Sequence, residues 1–258
     1  MCLLVFAWLS HPRYRLVLAG NRDEFHDRPA APLGWWTDVP GILAGRDLRA
    51  GGTWMGLSRS GRFGVVTNFR NVEAAAPEGS PSRGQLVPRY LGDDRATGPF
   101  VEELSEAAPQ FAGFNLLVGE PTSLHYYSNA VDEGPRELPP GIYGLSNHRL
   151  DEPWPKLTRT RARFTAALED EDPAPADLLD LLADRESTGA IETATTGLPP
   201  ELERALSAPF VRHDRYGTRC STLVRVEHGG RTVAHERRFD ARGAESGSSR
   251  FEFQCGTR

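Results

Sequence analysis

The chain is short of the features that mark several common classes of protein. It holds one lysine, Lys156, among 30 basic residues, two methionines, and three cysteines in 258 residues. Arginine therefore supplies nearly all the positive charge, a bias we read as one of coding. The net charge is −5 and the pI near 5.8, which argues against nonspecific nucleic-acid binding, so no nucleic-acid partner is expected. Cys2, Cys220 and Cys255 form no Cys-x-x-Cys pair and leave one thiol over in any disulfide scheme. A reducing, cytoplasmic setting fits that pattern. The apolar start, residues 2–9, has no basic segment before it and ends at His11-Pro12-Arg13. It reads as neither a signal peptide nor a transmembrane segment. His26, His148 and His213 are scattered, without His-x-His or His-Glu-x-x-His spacing, and predict no metal site. Dinucleotide and phosphate glycine loops are missing, as is the Gly-x-Ser-x-Gly elbow of α/β-hydrolases.

What is present is ordinary globular material: 39% hydrophobic and 25% charged residues, enough for a sizeable core. Residues 2–9 and 14–20 read as two strands joined by a turn at Pro12. Residues 29–41, with three prolines and two glycines, read as a loop. Strands are predicted at 53–58, 62–70, 111–118, 124–128 and 142–145. Two more, 223–226 and 232–239, make a hairpin across Gly229-Gly230, and 251–253 closes the sheet. Helices are predicted at 83–91, with Ser82 as its N-cap, and at 100–108, 154–168 and 176–183. Residues 71–82 and 241–249 are rich in small and polar types and are expected to be mobile. Short connections between strands imply antiparallel sheets, and strands alternating with groups of helices imply a layered α+β architecture. No linker divides the chain, so a single domain over 1–258 is expected.

Four places carry the residue types that chemistry needs. Cys2 follows Met1, and removal of Met1 would leave a thiol and an α-amine on one residue. Their ordinary pKa values, about 8.5 and about 7.7–8.0, allow proton exchange near neutrality. Position alone fits a buried strand residue equally well. Asn21-Arg22-Asp23-Glu24 ends an apolar strand, with Asn21 and Asp23 on one face and Arg22 and Glu24 on the other. A guanidinium there can stabilise a thiolate and a carboxylate can hold an amine; the same cluster also fits a surface ion-pair group. Asn68 and Asn147 end two further strands, as oxyanion donors or as turn residues. Arg219 enters a late strand beside small hydroxyl residues, as a carboxylate clamp or as part of a surface salt bridge.

Met1-Cys2, Asn21-Arg22-Asp23-Glu24, Ala50-Gly51-Gly52-Thr53-Trp54, Val66-Thr67-Asn68, Leu145-Ser146-Asn147, Pro153-Trp154-Pro155-Lys156 and Tyr216-Gly217-Thr218-Arg219 together resemble the NRDE, or transport-and-Golgi-organisation-2, family. The resemblance implies an αββα sandwich of the N-terminal-nucleophile hydrolase type. It extends to cysteine-dependent relatives such as bile salt hydrolases and penicillin V acylases. By that likeness Cys2, Arg22, Asp23 or Glu24, Asn68, Asn147 and Arg219 are the candidate catalytic residues. One departure stands out: the acid three places after the arginine in those relatives is Phe25 here, so Asp23 or Glu24 must serve, or the amine is held differently. The implied activity is hydrolysis or acyl transfer at an amide or thioester of a small acyl substrate, without metal or cofactor. The resemblance also implies an alternative, a non-catalytic carrier of haem or lipid. There Cys2, His26 and His148 would be the candidate iron ligands, and haem would be loosely bound because no Cys-x-x-Cys-His attachment motif occurs.

Overall fold

The computed structural model describes residues 2–70, 78–187 and 200–256. The chain opens with β1 (Leu3–Trp8) and returns as β2 (Tyr14–Phe25). A meander follows: β3 (Ala30–Trp35), β4 (Ile42–Asp47), β5 (Met55–Ser58) and β6 (Phe63–Asn68). Helices α1 (Leu86–Leu91) and α2 (Thr97–Ala107) lead to β7 (Phe114–Glu120), β8 (Ser123–Ser128), β9 (Arg136–Glu137) and β10 (Gly141–Leu145). Next come α3 (Pro155–Ala167), α4 (Pro175–Asp180) and α5 (Pro200–Leu206), each opening on a proline, where the missing N–H costs nothing. The chain closes with β11 (Tyr216–Glu227), β12 (Arg231–Phe239) and β13 (Glu245–Gln254).

Two antiparallel sheets result, one ordered β10-β1-β2-β11-β12-β13 and the other β3-β4-β5-β6-β7-β8-β9. Alternation along the strands builds three apolar layers. Leu4, Phe6, Leu16 and Leu18 point between the sheets, against Leu43, Leu57, Phe63 and Leu117. Leu3, Val5, Val17 and Ala19 point the other way, under Leu157 and Phe164 of α3 and Leu178 and Leu179 of α4. On the far side, Val66, Leu116 and Val118 pack against α1 and α2 through Leu86, Val87, Phe100 and Leu104. This is the expected αββα sandwich. All six residues of β1 are buried, as a strand covered on both faces requires, and that is why its sequence is continuously apolar.

Several elements differ from expectation. The polar tetrapeptide lies inside β2, which runs to Phe25 instead of ending at residue 20. Part of the expected loop at 29–41 is β3, and its Pro32 is tolerated because β3 is an edge strand with an irregular register between Ala31 and Gly34. Of the expected mobile stretch 241–249, residues 245–249 belong to β13, paired with β12. Ser82 precedes a 3₁₀ turn, Arg83–Gln85, and its side chain caps nothing. Residues 71–77 of the expected loop lie outside the described residues.

Asn21 locks the centre of this frame. It is fully buried; its Nδ2 donates to the carbonyls of Leu182 and Pro209 at 2.9 Å each, and its Oδ1 accepts from Ser221 Oγ at 2.6 Å. One amide thus joins β2, β11 and the helix layer. Asn21→Ala strands those partners without water, and each buried unsatisfied group costs about 1–3 kcal/mol. Loss of about 3 kcal/mol or more is expected in urea unfolding, and a loss below about 1 kcal/mol would refute this role.

Candidate active site

β1 and β2 pair so that Leu3 faces Asn21, which puts Cys2 beside the polar end of β2. The Cys2 backbone N–H donates to the Asn21 carbonyl at 2.9 Å, and the Cys2 carbonyl accepts from Ser146 Oγ at 3.0 Å. Its Sγ lies 3.5 Å from the Asp23 carbonyl oxygen and 3.5 Å from Tyr216 Oη. Tyr216 Oη donates to the same Asp23 carbonyl at 3.1 Å. Burial, and then the negative potential of Cys2 and Asp23, pushes the Tyr216 phenol well above its ordinary value, so it stays a donor.

Cys2 opens onto a cavity of about 270 Å³. Arg22, Glu24, Arg28, Trp54, Asn68 and Arg83 form much of its wall. Arg22 is buried, stacked 4.4 Å from the centre of the Trp54 ring, and 3.5 Å from Glu24. A desolvated stack of this kind is worth about 2 kcal/mol. Glu24 also lies 3.8 Å from Arg28, whose main partner is Asp47 at 2.7 Å. Arg83 is half-buried and donates through Nη1 to the Gly113 carbonyl at 2.9 Å. Its pKa is lowered by desolvation, partly offset by Glu24.

The wall is held at close range by glycine. A Cβ on Gly52 would stand 2.3 Å from the Gly84 carbonyl oxygen, and one on Gly45 would stand 2.4 Å from the Trp54 indole. Thr53 N–H donates to that same Gly84 carbonyl at 2.9 Å.

On the opposite face of β2, Asp23 is buried against the helix layer. Its Oδ1 accepts from Thr218 Oγ1 at 2.7 Å, while Oδ2 has no partner among the described residues. Burial raises its pKa, opposed chiefly by the Lys156 ammonium and the Thr218 bond. Lys156 is itself buried near the start of α3, donates to the Leu206 carbonyl at 2.7 Å, and is shifted down by burial, opposed by Asp23. The pair bears on the cavity from the helix side, since Asp23 and Lys156 both interact with Cys2.

The structure gathers Cys2, Arg22, Asp23, Glu24 and Asn68 around the cavity. It does not bring Asn147 or Arg219 there. Asn147 adopts φ +55°, and its Nδ2 donates to the Asn68 carbonyl at 2.9 Å. One N–H of its amide is thus bonded to the backbone of β6, whereas the Asn68 side chain makes no hydrogen bond among the described residues. Arg219 is the extra residue of a bulge, since Thr218 and Cys220 pair with the successive residues Asp23 and Arg22. The bulge re-aims it, and its Nη1 donates to the carbonyls of Phe25 and His26. The three candidate haem ligands are likewise not gathered: His26 Nε2 meets the His213 carbonyl and His148 Nδ1 meets Glu152, both outside the cavity wall.

A family model described as Transport and Golgi organisation 2 matches residues 1–241. The chain belongs to this family. Over 257 residues it is 33% identical to the Transport and Golgi organization 2 homolog of Mus musculus and 32% identical to that of Homo sapiens. Each alignment covers 92% of both chains. The Drosophila melanogaster Transport and Golgi organization protein 2 is 24% identical, over 88% of each chain. Among solved structures, a mutant conjugated bile acid hydrolase from Clostridium perfringens superposes with a TM-score of 0.53 at 7% identity, covering 98% of this chain and 92% of that one. The Caenorhabditis elegans ortholog of N-acylethanolamine-hydrolyzing acid amidase gives 0.50 at 10% identity, covering 86% and 92%. At such identities the likeness is one of fold alone, the αββα sandwich. No helix among the described residues is long and apolar enough to cross a membrane.

Sequence reasoning passed over Tyr216, Lys156 and Arg83 as site residues. Tyr216 stood in the same short stretch as Arg219, and only the bulge decides which of the two reaches the sulfur. Lys156 carried one signal, its being the sole lysine in an arginine-rich chain.

The Asp23–Lys156 pair has a pH signature. With its folded pKa raised, Asp23 contributes stability that is present below its unfolded value, about 4, and is lost as pH rises through the raised folded value. Lys156⁺ limits that loss. Lys156→Met is therefore expected to be destabilised more at neutral pH than near pH 4, where the lone carboxyl is protonated. Equal deficits in denaturant midpoints at the two pH values would show that the pair does not interact.

Proposed function

We propose that this protein is an amide hydrolase, or an acyltransferase on amide or thioester bonds, that uses Cys2 as an N-terminal nucleophile. The observation that carries the reading is the Cys2 thiol at the wall of a polar cavity, 3.5 Å from a phenol held as a donor. Removal of Met1 turns the nitrogen now bonded to the Asn21 carbonyl into an α-amine. That carbonyl supports a reading of the departure at Phe25 in which β2 backbone holds the amine, with the Asp23 carboxyl, which also bears on the Cys2 side chain, as the acid beside it.

The chemistry then balances on few groups. The thiol proton passes to the α-amine as Sγ bonds to the acyl carbon. The oxyanion of the tetrahedral intermediate takes a hydrogen bond from the free Asn68 amide, while Asn147 positions Asn68 through its backbone. The ammonium returns the proton to the departing amine as the carbon–nitrogen bond breaks, leaving a thioester on Cys2. Water attacks this thioester, gives its proton to the α-amine, and the thiol is regenerated. An acceptor amine in place of water gives acyl transfer. Arg22 stabilises the thiolate, and Tyr216 adds to this when its O–H turns from the Asp23 carbonyl to the sulfur.

Intact mass of the purified protein is expected to lack Met1. Cys2→Ala is expected to lose turnover of acyl substrates by about a thousandfold or more while melting near the wild-type temperature. Asn68→Ala should lose about a hundredfold in kcat. Turnover by Cys2→Ala equal to wild type would overturn the mechanism, and a retained Met1 would remove its base.

A further inference from the structure

We propose that the ligand of the Cys2 cavity carries an oxyanion group, a carboxylate or a phosphate, and that Arg83 pairs with it. This deepens the reading of Cys2 as a nucleophile by naming a substrate class, and rests on that reading for its chemistry alone.

The argument is a matching of charges around one cavity. Three guanidiniums line it: Arg22, Arg28 and Arg83. The carboxylates among its lining residues are Asp23, Glu24 and Asp47; Asp23 is offset by the Lys156 ammonium, accepts from Thr218, and bears on the Cys2 side chain. Asp47 takes Arg28 at 2.7 Å, and Glu24 lies between Arg22 at 3.5 Å and Arg28 at 3.8 Å. Arg83 is left with one carbonyl, that of Gly113. Its Nε and Nη2 make no hydrogen bond among the described residues, and it has no ion pair there.

A half-buried guanidinium cannot neutralise itself by losing its proton, and its two spare nitrogens form a fork that fits two oxygens of one anion. Its backbone is also held: the Gly84 carbonyl beside it accepts from Thr53 N–H, with Gly52 packed against it. The fork is thus presented from a fixed wall of the cavity that holds the nucleophile. A small acyl compound with an anionic group would be oriented by that pairing, with its acyl carbon toward Cys2.

The test is calorimetric titration of succinate and, separately, inorganic phosphate into the full-length Cys2→Ala protein, so that binding is read without turnover. Saturable binding of one of them is expected, and which one binds identifies the group. Adding Arg83→Gln should weaken that binding about tenfold or more. Arg83→Lys should weaken it several-fold, because it keeps the charge and loses the fork. Binding of neither anion, or an unchanged affinity in either Arg83 variant, overturns the proposal. If Arg83→Gln fails to fold, the lysine variant decides alone. Failure of acyl turnover to depend on Cys2 would strike the nucleophile reading and leave this titration unaffected.

Discussion

Asn21, Arg22 and Asp23 sit inside a central strand that is covered on both faces, where a polar group survives only if its partners are built in. That demand organises the molecule around β2. Asn21 fastens the strand to β11 and to the carbonyls of Leu182 and Pro209. Arg22 requires a ring to lie on, and Trp54, just before β5 of the other sheet, supplies it. Asp23 requires Thr218 and the nearby Lys156. Each need recruits a different part of the chain. Together they fix β2 against β11 and the helix layer, and the pairing of β1 with β2 then places Cys2.

Strand alternation then gives adjacent residues different electrostatic surroundings. Behind β2, Asp23 and Lys156 are enclosed, and burial presses both toward their neutral forms. In front, Arg22, Glu24, Arg28, Asp47 and Arg83 share a cavity with Cys2. The other thiols are placed differently. Cys220 points into the core between the sheets and Cys255 packs near the chain end, and burial raises both pKa values. The three cysteines are all free and buried, but only Cys2 is at the cavity.

The layered fold was legible because β1, β2 and the meander strands are apolar with short turns between them. The two faces of the tetrapeptide were legible from its period of two. What could not be read depends on contacts between distant segments. A strand of Asn, Arg, Asp and Glu looks like a strand exit until β11 and the helix layer supply its partners. Pro32 argues for a loop until β3 is known to be an edge. That Tyr216 and not Arg219 lies beside the Cys2 sulfur goes with one extra residue in a bulge, which propensity does not mark. Asn147 looked like a donor to substrate, but its left-handed backbone turns its amide onto the carbonyl of Asn68.

The glycines at 45, 52 and 84 carry a consequence for how this cavity can change over evolutionary time. Trp54 rests where a Cβ on Gly45 would be, and Gly52 touches the Gly84 backbone more closely than any larger residue permits. Two stretches of main chain and one indole therefore define this part of the wall, and none of them can be trimmed or enlarged in small steps. Divergence of ligand preference would have to proceed through the few side chains that project from this rigid frame, so members of the family are expected to vary in chemistry at the rim far more than in the width of the cleft.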